Sequence, residues 1–308
     1  MSEDLEQNDD IGRTPLMWAC EEGDLEQVQR LIDTGANIEA RDIWGKTSLV
    51  FACSNGHESI VRLLIDKGAT IEPMALQEAA QKGHADIAEL LIKAGADIND
   101  NRGGEGRRGT PLILASCQGH VDVVDFLLSL GADTEVKDLF GMTALMWASL
   151  FGRIDVVDRL LAAGCNINTQ DGYNYTALML AAQGGHLPII DRLVVHGADF
   201  NHRNNWGRNA LMWAAENGHI EAVDRLLSLG CDVNVQDSHG FTSLMWACFE
   251  GNTDVVRLLL DHGADPLLCN KDGERAIDLV PESSPEIQTL LNGLILLSFH
   301  HHHHRHVP

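Results

Sequence analysis

The sequence predicts an all-α solenoid in which stacked helix-turn-helix units carry short projecting β-hairpin arms. The first observation is a glycine that recurs at intervals of about 33 residues, a period typical of stacked repeat arrays. The second is another glycine that follows each of these in a constant register. The recurring glycines are Gly23, Gly56, Gly83, Gly119, Gly152, Gly185, Gly218 and Gly251, and the followers run from Gly35 to Gly263. A solenoid grows by adding such units and needs no second core.

Residues 139–171 show why each segment of a unit takes its structure. Thr143 is suited to cap a first short helix through its hydroxyl, and Gly152 ends that helix because glycine readily adopts a left-handed conformation. A second helix with one apolar face follows and ends at Gly164. Residues 165–171 are too few and too polar for a helix and predict an extended arm with a turn. Such helix pairs bury their apolar faces only when they stack.

The array is predicted to span residues 10–292. Gln27 is polar where the other units are apolar, which marks the outer face of a first repeat. Residues 1–9 are predicted to be a disordered acidic N-terminus, and 293–308 a His-rich tail. The units are 10–42, 43–72, 73–99, 100–138, 139–171, 172–204, 205–237 and 238–272, with a closing cap at 273–292.

Charge and composition exclude several classes of partner. The formal net charge is −23, whereas binding to nucleic acid or anionic membranes needs clustered Lys and Arg. A protein with a basic, Arg- or Lys-bearing segment fits better. The N-terminus lacks the basic and apolar regions of a secretory signal. The longest aliphatic run, 294–297, is too short to span a bilayer and is expected to dock on the closing cap.

The seven cysteines show no disulfide-like spacing. Cys20, Cys53 and Cys248 each follow an alanine in a first helix, and Cys165 and Cys231 replace the alanine that follows a turn glycine. These positions predict small buried side chains in a reducing environment. We therefore expect an intracellular protein, cytoplasmic or nuclear.

The repeated motifs resemble those of the ankyrin-repeat family over about residues 10–292. Gly12-Arg13-Thr14-Pro15-Leu16 is similar to the start of a family repeat, and Gly131-Ala132-Asp133 is similar to its end. The resemblance implies that arms and first helices line a concave groove that binds other proteins. It also implies no cofactor and no catalytic residues.

One departure from the family concerns the histidine of its Thr-Pro-Leu-His stretch. Met17, Val50, Gln77, Ile113, Met146, Met179, Met212 and Met245 replace it. Methionine fills irregular gaps in a core, so we interpret these positions as core. The alternative is a methionine-rich binding face.

The third and fourth units are irregular. The third lacks its arm, and the fourth carries a long one over 100–109. That segment contains a Gly-x-Gly-x-x-Gly pattern, but without the buried strand and long helix of a dinucleotide site. Its Arg102, Arg107 and Arg108 form a basic cluster that either contacts an acidic partner segment or is neutralised within the chain.

Aromatic residues concentrate where a partner would bind. Those at arm tips are Trp44, Phe140, Tyr173, Tyr175, Trp206 and Phe241, and the ends of first helices add Leu150, Phe151 and Phe249. Exposed aromatic side chains often dominate interface energetics, so these residues are the predicted partner-binding site. The residues Trp18, Phe51, Trp147, Trp213 and Trp246 are expected to pack against neighbouring units instead.

Two further features concern modification and metal binding. The resemblance to ankyrin proteins implies that Asn234, in an Asp-Val-Asn turn, is a candidate for hydroxylation, although such asparagines also stabilise turns. The histidines of the tail lack the spaced ligands of a structural metal site, so no metal is expected.

The leading hypothesis is a monomeric, non-catalytic scaffold or adaptor. A regulatory subunit that occludes an enzyme or a transcription factor is the first alternative. A ligand-sensing enzyme is the remote one.

Overall fold

The computed structural model describes residues 4–102 and 109–304, with side chains as far as residue 297. Arg107 and Arg108 lie outside the described residues. Over this part of the chain the helices are α1 (Pro15–Glu22), α2 (Leu25–Asp33), α3 (Ser48–Ser54), α4 (Glu58–Asp66), α5 (Pro73–Lys82), α6 (Ala85–Lys93), α7 (Pro111–Gln118), α8 (Val121–Ser129), α9 (Ala144–Leu150), α10 (Ile154–Ala162), α11 (Ala177–Gly184), α12 (Leu187–Val195), α13 (Ala210–Glu216), α14 (Ile220–Ser228), α15 (Ser243–Phe249), α16 (Thr253–Asp261) and α17 (Pro285–His304), with a 3-10 turn at Ala276–Leu279. The predicted all-α repeat solenoid is confirmed.

The chain forms two compact units. The first comprises residues up to Ala148 together with Asp155–Cys165, and the second comprises Ser149–Ile154 and the residues from Asn166 onward. In the first unit α1, α3, α5 and α7 pack side by side, and α2, α4, α6 and α8 form a second layer. In the second unit α11, α13 and α15 form one layer and α12, α14 and α16 the other. Each second helix contributes one fully buried leucine to the core: Leu31, Leu64, Leu91, Leu127, Leu160, Leu193, Leu226 and Leu259.

Caps and turns fix the helix pairs. Thr14 Oγ1 accepts the Met17 N–H at 3.3 Å at the start of α1. In the turn between α13 and α14, the His219 ring donates from Nε2 to the Gln183 carbonyl of the preceding repeat at 2.9 Å. The ring lies directly over Gly185, whose φ is +70°. The histidine thus links adjacent repeats through the backbone.

The residues that replace the family histidine are all buried, as the core interpretation predicts. Gln77 alone among them is polar. Its amide Nε2 donates to the carbonyl oxygens of Asp100 at 3.1 Å and Arg102 at 2.8 Å. It therefore fastens the start of the fourth arm to α5.

The arms differ from the expected β-hairpins, because the described residues contain no β-strand. Each complete arm is a tight turn; in the second repeat, for example, the Asp42 N–H donates to the Lys46 carbonyl at 3.0 Å. The Asp42 carboxylate accepts the N–H groups of Trp44 and Lys46 at 2.9 and 2.8 Å. A side chain thus provides the closure that a β-ladder would otherwise provide.

Both ends of the array differ in detail from the sequence expectation. Leu5 packs against the core, and the Glu6 carboxylate accepts the Asn37 N–H at 3.0 Å, so ordered packing includes residues before 10. At the other end α17 continues beyond the cap. Leu294, Leu296 and Leu297 are exposed and Ile295 is half-buried, so most of the run expected to dock on the closing cap faces solvent instead.

All seven cysteines are free, and all except Cys269 are buried. Burial raises the pKa of Cys20, Cys165, Cys231 and Cys248 to about 12. These thiols remain protonated and unreactive at neutral pH, which agrees with their interpretation as small core residues.

Candidate partner-binding surface

Short polar side chains hold the arm tips in the second unit. Asp171 Oδ1 accepts the N–H groups of Tyr173 and Tyr175, both at 2.9 Å. Asn204 Oδ1 does the same for Trp206 at 2.9 Å and Arg208 at 3.0 Å. Aspartate and asparagine favour such turns because their oxygens reach the backbone two residues on. The aromatic residue at each tip therefore has a fixed backbone.

Consecutive arms of the second unit are also joined to one another. The N–H of Asn205 donates to the Tyr173 carbonyl at 3.0 Å, and the N–H of Ser238 donates to the Trp206 carbonyl at 2.8 Å. The next arm continues the series, with the Lys271 N–H and the His239 carbonyl at 3.0 Å. These bonds align the tips in one row.

The row presents stacked aromatic rings to solvent. The rings of Tyr173 and Trp206 stack with centroids 5.3 Å apart. Tyr175 meets Trp206 edge-on at 6.1 Å and lies tilted against Trp213 at 5.6 Å. Tyr173 is 58% exposed and Trp206 is 41% exposed, while Tyr175 is half-buried. Burial raises the pKa of the Tyr175 phenol, against a smaller opposing effect of the Arg208 charge. Tyr175 thus connects the exposed Trp206 ring to Trp213 of the first helix.

A buried arginine extends this cluster toward the first helices. The Arg208 guanidinium lies 3.7 Å from the ring centroid of Trp213 and 4.3 Å from that of Trp246. Its Nη2 donates to Glu216 at 2.5 Å, and the residue is only 7% exposed. The sequence prediction missed this residue, which joins two neighbouring repeats.

Phe241 and Phe249 both contact Trp246. Phe241 packs on its ring at 4.7 Å, whereas Phe249 meets it edge-on at 6.5 Å. Phe249 is exposed and Phe241 is half-buried. Of this predicted pair, Phe249 is therefore the one that is open to solvent.

An indole–carboxylate bond recurs at a fixed spacing. Trp18 donates to Asp9 at 3.1 Å, Trp147 to Asp138 at 2.7 Å and Trp246 to Asp237 at 3.1 Å. In the seventh repeat the equivalent pair is Trp213 and Asn204. The Trp213 indole nitrogen and the Asn204 amide nitrogen are both buried without a hydrogen-bond partner. An amide donor thus stands where the other repeats have an acceptor.

Replacing Asn204 with aspartate is expected to raise the free energy of unfolding by about 1 kcal/mol, because the buried indole gains an acceptor. Urea denaturation followed by circular dichroism measures the change. Asp237→Asn is the matched reverse control, since it removes the acceptor of Trp246 and should lower stability. An Asn204→Asp protein less stable than wild type would contradict the pairing.

The first unit has its own arm tips and a similar arginine. Trp44 is 42% exposed and Phe140 is 57% exposed; the Phe140 ring meets Trp147 edge-on at 6.2 Å. The Arg13 guanidinium lies 4.7 Å from the ring centroids of both Trp18 and Phe51. Its Nη1 pairs with Glu21 at 2.9 Å.

The remaining predicted site residues take different positions. Leu150 is half-buried and Phe151 is exposed at the end of a first helix. Arg102 forms an ion pair with Asp100 at 2.9 Å, and its hydrogen bonds lower the pKa of that carboxyl group. The Arg102 guanidinium is thus paired within the chain while 79% of its side chain stays exposed.

Comparisons with known proteins agree with this geometry. A family model described as ankyrin repeats in three copies matches residues 2–75, 41–102, 76–171 and 178–270. The chain belongs to the ankyrin-repeat family. Among solved structures, the crystal structure of the human ASB11 ankyrin repeat domain is similar, with a TM-score of 0.63 and 26% sequence identity. The similarity covers 70% of this chain and 95% of that domain. A search of curated proteins returned no match.

Ankyrin repeats are generally protein–protein interaction modules, and the fold is typically non-enzymatic. Across the described part of this ankyrin array, no group of three or more His, Cys, Asp or Glu side chains is placed to hold a metal ion. Every helix in the same residues is too short or too polar to cross a membrane.

Asn234 has a structural role in the ankyrin array. Its Nδ2 donates to the Gly263 carbonyl at 3.1 Å, and its Oδ1 accepts the Asp265 N–H at 2.8 Å. The side chain thus connects the ends of two consecutive repeats. A hydroxylase would have to reach it while these bonds hold or after they open.

Proposed function

We propose that this ankyrin array is a non-catalytic scaffold or adaptor that binds another protein through the aromatic side chains of its arms and first helices. The observation that carries the proposal is the stacked pair Tyr173 and Trp206, which is exposed although its backbone is fixed by hydrogen bonds. Fixed aromatic rings lose little conformational freedom on binding. They are therefore suited to anchor a partner.

The other residues of the proposed surface differ in their exposure to solvent. Trp44, Phe140, Phe151 and Phe249 are exposed and offer direct contacts, whereas Leu150, Tyr175 and Phe241 are partly buried and support them. We further propose that the protein is monomeric, intracellular and free of any cofactor. Asn234 is proposed as a site of hydroxylation.

The partner is proposed to carry an Arg- or Lys-rich segment. The net charge of −23 attracts a basic surface and accelerates its association. Arg208 and Arg13 show that aromatic rings of this array pack well against guanidinium groups, since each of the two arginines stacks on two rings. A partner arginine would find similar ring faces at Tyr173 and Trp206.

Replacing Tyr173 and Trp206 together with alanine is expected to weaken partner binding about a hundredfold, as the loss of two interface hot spots does. Affinity purification with quantitative mass spectrometry identifies proteins retained by the wild type, and titration of the leading one measures the change. Retention should also fall as salt rises, if the partner segment is basic.

Val195→Ala is the matched control, because Val195 is 82% exposed on α12 and its replacement removes apolar surface from the other layer. This variant should retain the same partners as the wild type. Equal retention by the folded double variant would refute the proposed aromatic site. A partner enzyme that loses activity on binding would instead indicate an inhibitor.

A further inference from the structure

The first unit has a gap in its row of arms. The interval between Gly56 and Gly83 is about six residues shorter than the others, and the chain passes from Thr70 directly into α5 at Pro73. The helix layer is unbroken there, since α5 packs against both α3 and α7. The third repeat therefore keeps its helices and lacks only its arm.

The regular arms show what the missing arm would bind. In four arm pairs, the second residue of one turn donates its N–H to the carbonyl of the third residue of the preceding turn. The pairs are Ile43 with Ile11, Asn205 with Tyr173, Ser238 with Trp206, and Lys271 with His239. In a third-repeat arm, the second residue of the turn would donate its N–H to a carbonyl of the second arm. The carbonyl of its third residue would accept an N–H of the fourth arm.

Both backbone groups that face the gap are unused. By this register they are the Trp44 carbonyl in the second arm and the Asn101 N–H in the fourth, and neither forms a hydrogen bond within the described residues. Gln77 holds the chain on either side of Asn101 against α5. The gap thus has an acceptor on one side and a fixed donor on the other.

Exposed apolar side chains mark the same place. Ile43 is 61% exposed and Trp44 is 42% exposed, at the edge where the missing arm would lie. The second and fifth arms, which flank the irregular third and fourth repeats, are the two described arms with apolar residues at both tip positions, Ile43 with Trp44 and Leu139 with Phe140. The other arms have a polar residue or glycine at one or both positions.

We propose that this gap binds an extended segment of a partner protein that takes the place of the missing arm. One residue of the segment donates its N–H to the Trp44 carbonyl, and the carbonyl of the next residue accepts the Asn101 N–H, as in recognition by strand addition. A neighbouring apolar side chain of the segment packs on Ile43 and Trp44. This site rests on the proposed function, because it specifies that the protein-binding array recognises one segment of its partner through backbone hydrogen bonds.

The test uses a displayed library of random linear peptides selected on the full-length protein. The peptides obtained are then titrated against a variant in which the sequence of residues 235–240, a polar arm of this chain, is inserted between Glu72 and Pro73. The insertion supplies the missing arm, so binding should weaken about tenfold or more. Its far-ultraviolet circular dichroism should match that of the wild type.

A second variant avoids the insertion. Asn101→Pro removes the N–H donor without adding residues, and it should weaken the same peptides by a similar factor. Methylating the backbone nitrogens of a selected peptide one at a time should weaken binding at a single position, the nitrogen that donates to the Trp44 carbonyl. The Val195→Ala variant, which changes an exposed side chain outside the arms, should bind these peptides as the wild type does.

The outcomes separate the two proposals. Peptides that bind both gap variants normally but lose affinity for the Tyr173, Trp206 variant overturn the gap site and leave the proposed function intact. A library that yields no binder to the wild type overturns the gap site, whereas the proposed function is still decided by the affinity purification. Residues 103–108 are the alternative occupant; if replacing them with a glycine-serine stretch strengthens peptide binding, the chain fills its own gap and the proposal fails.

Discussion

Replacing Gly185 with alanine is expected to lower the free energy of unfolding by about 3 kcal/mol, through two separate effects. The φ of Gly185 is +70°, a conformation that disfavours a side chain by about 1 kcal/mol or more. The new methyl group would also lie 2.5 Å from Nδ1 of His219. The ring cannot move away without weakening its bond to the Gln183 carbonyl.

Gly197→Ala is the matched control for this prediction. Its φ is +95°, yet a methyl group at that position would have no neighbouring atom within 4 Å. It should therefore lose only about 1 kcal/mol, the conformational part of the effect. Urea denaturation of both variants measures the difference. Equal losses would show that His219 is not a rigid link between repeats.

Replacing Arg208 with methionine is expected to lower the free energy of unfolding by about 2–3 kcal/mol. Methionine fills much of the space between Trp213 and Trp246, but Glu216 then keeps a partly buried charge without its partner. The expected loss is below that for a fully buried pair because the Glu216 side chain is 22% exposed. The free energies come from chemical denaturation.

The double variant Arg208→Met, Glu216→Gln tests the cause. Removing both charges should restore most of the loss, since no unpaired charge remains. The pair Arg13 and Glu21 offers a comparison in the first unit, where the side chains are 18% and 31% exposed and the loss should be smaller. Additive losses from Arg208→Met and Glu216→Gln would contradict the coupling.

Local signals in the sequence predicted the helix pairs well. Thr143 and Gly152 place the first helix of the fifth repeat close to the observed α9, Ala144–Leu150. Burial of the methionine row also follows from sequence, because these residues recur in a single register. A single segment does not show whether its methionine is buried, whereas recurrence of the residue in one register does.

The features that the sequence prediction missed depend on contacts between repeats. The Arg208 sandwich needs Trp246, which belongs to the following repeat, so no local window contains it. A signal was nevertheless present, since Arg13, Trp18 and Glu21 have the same spacing as Arg208, Trp213 and Glu216. The expectation of β-hairpins was wrong for a related reason. A short polar arm has no periodic apolar pattern, so its sequence does not show whether a side chain or a pair of strands closes the turn.

The uneven placement of the thiols has a practical consequence. Cys269 is the one exposed cysteine, and it directly precedes Asn270, the first residue of the last arm turn. A maleimide fluorophore would attach there to the wild-type protein without any mutation, since the other six thiols are buried. The chain thus carries a natural labelling point beside the arm row, from which partner association can be followed by emission anisotropy.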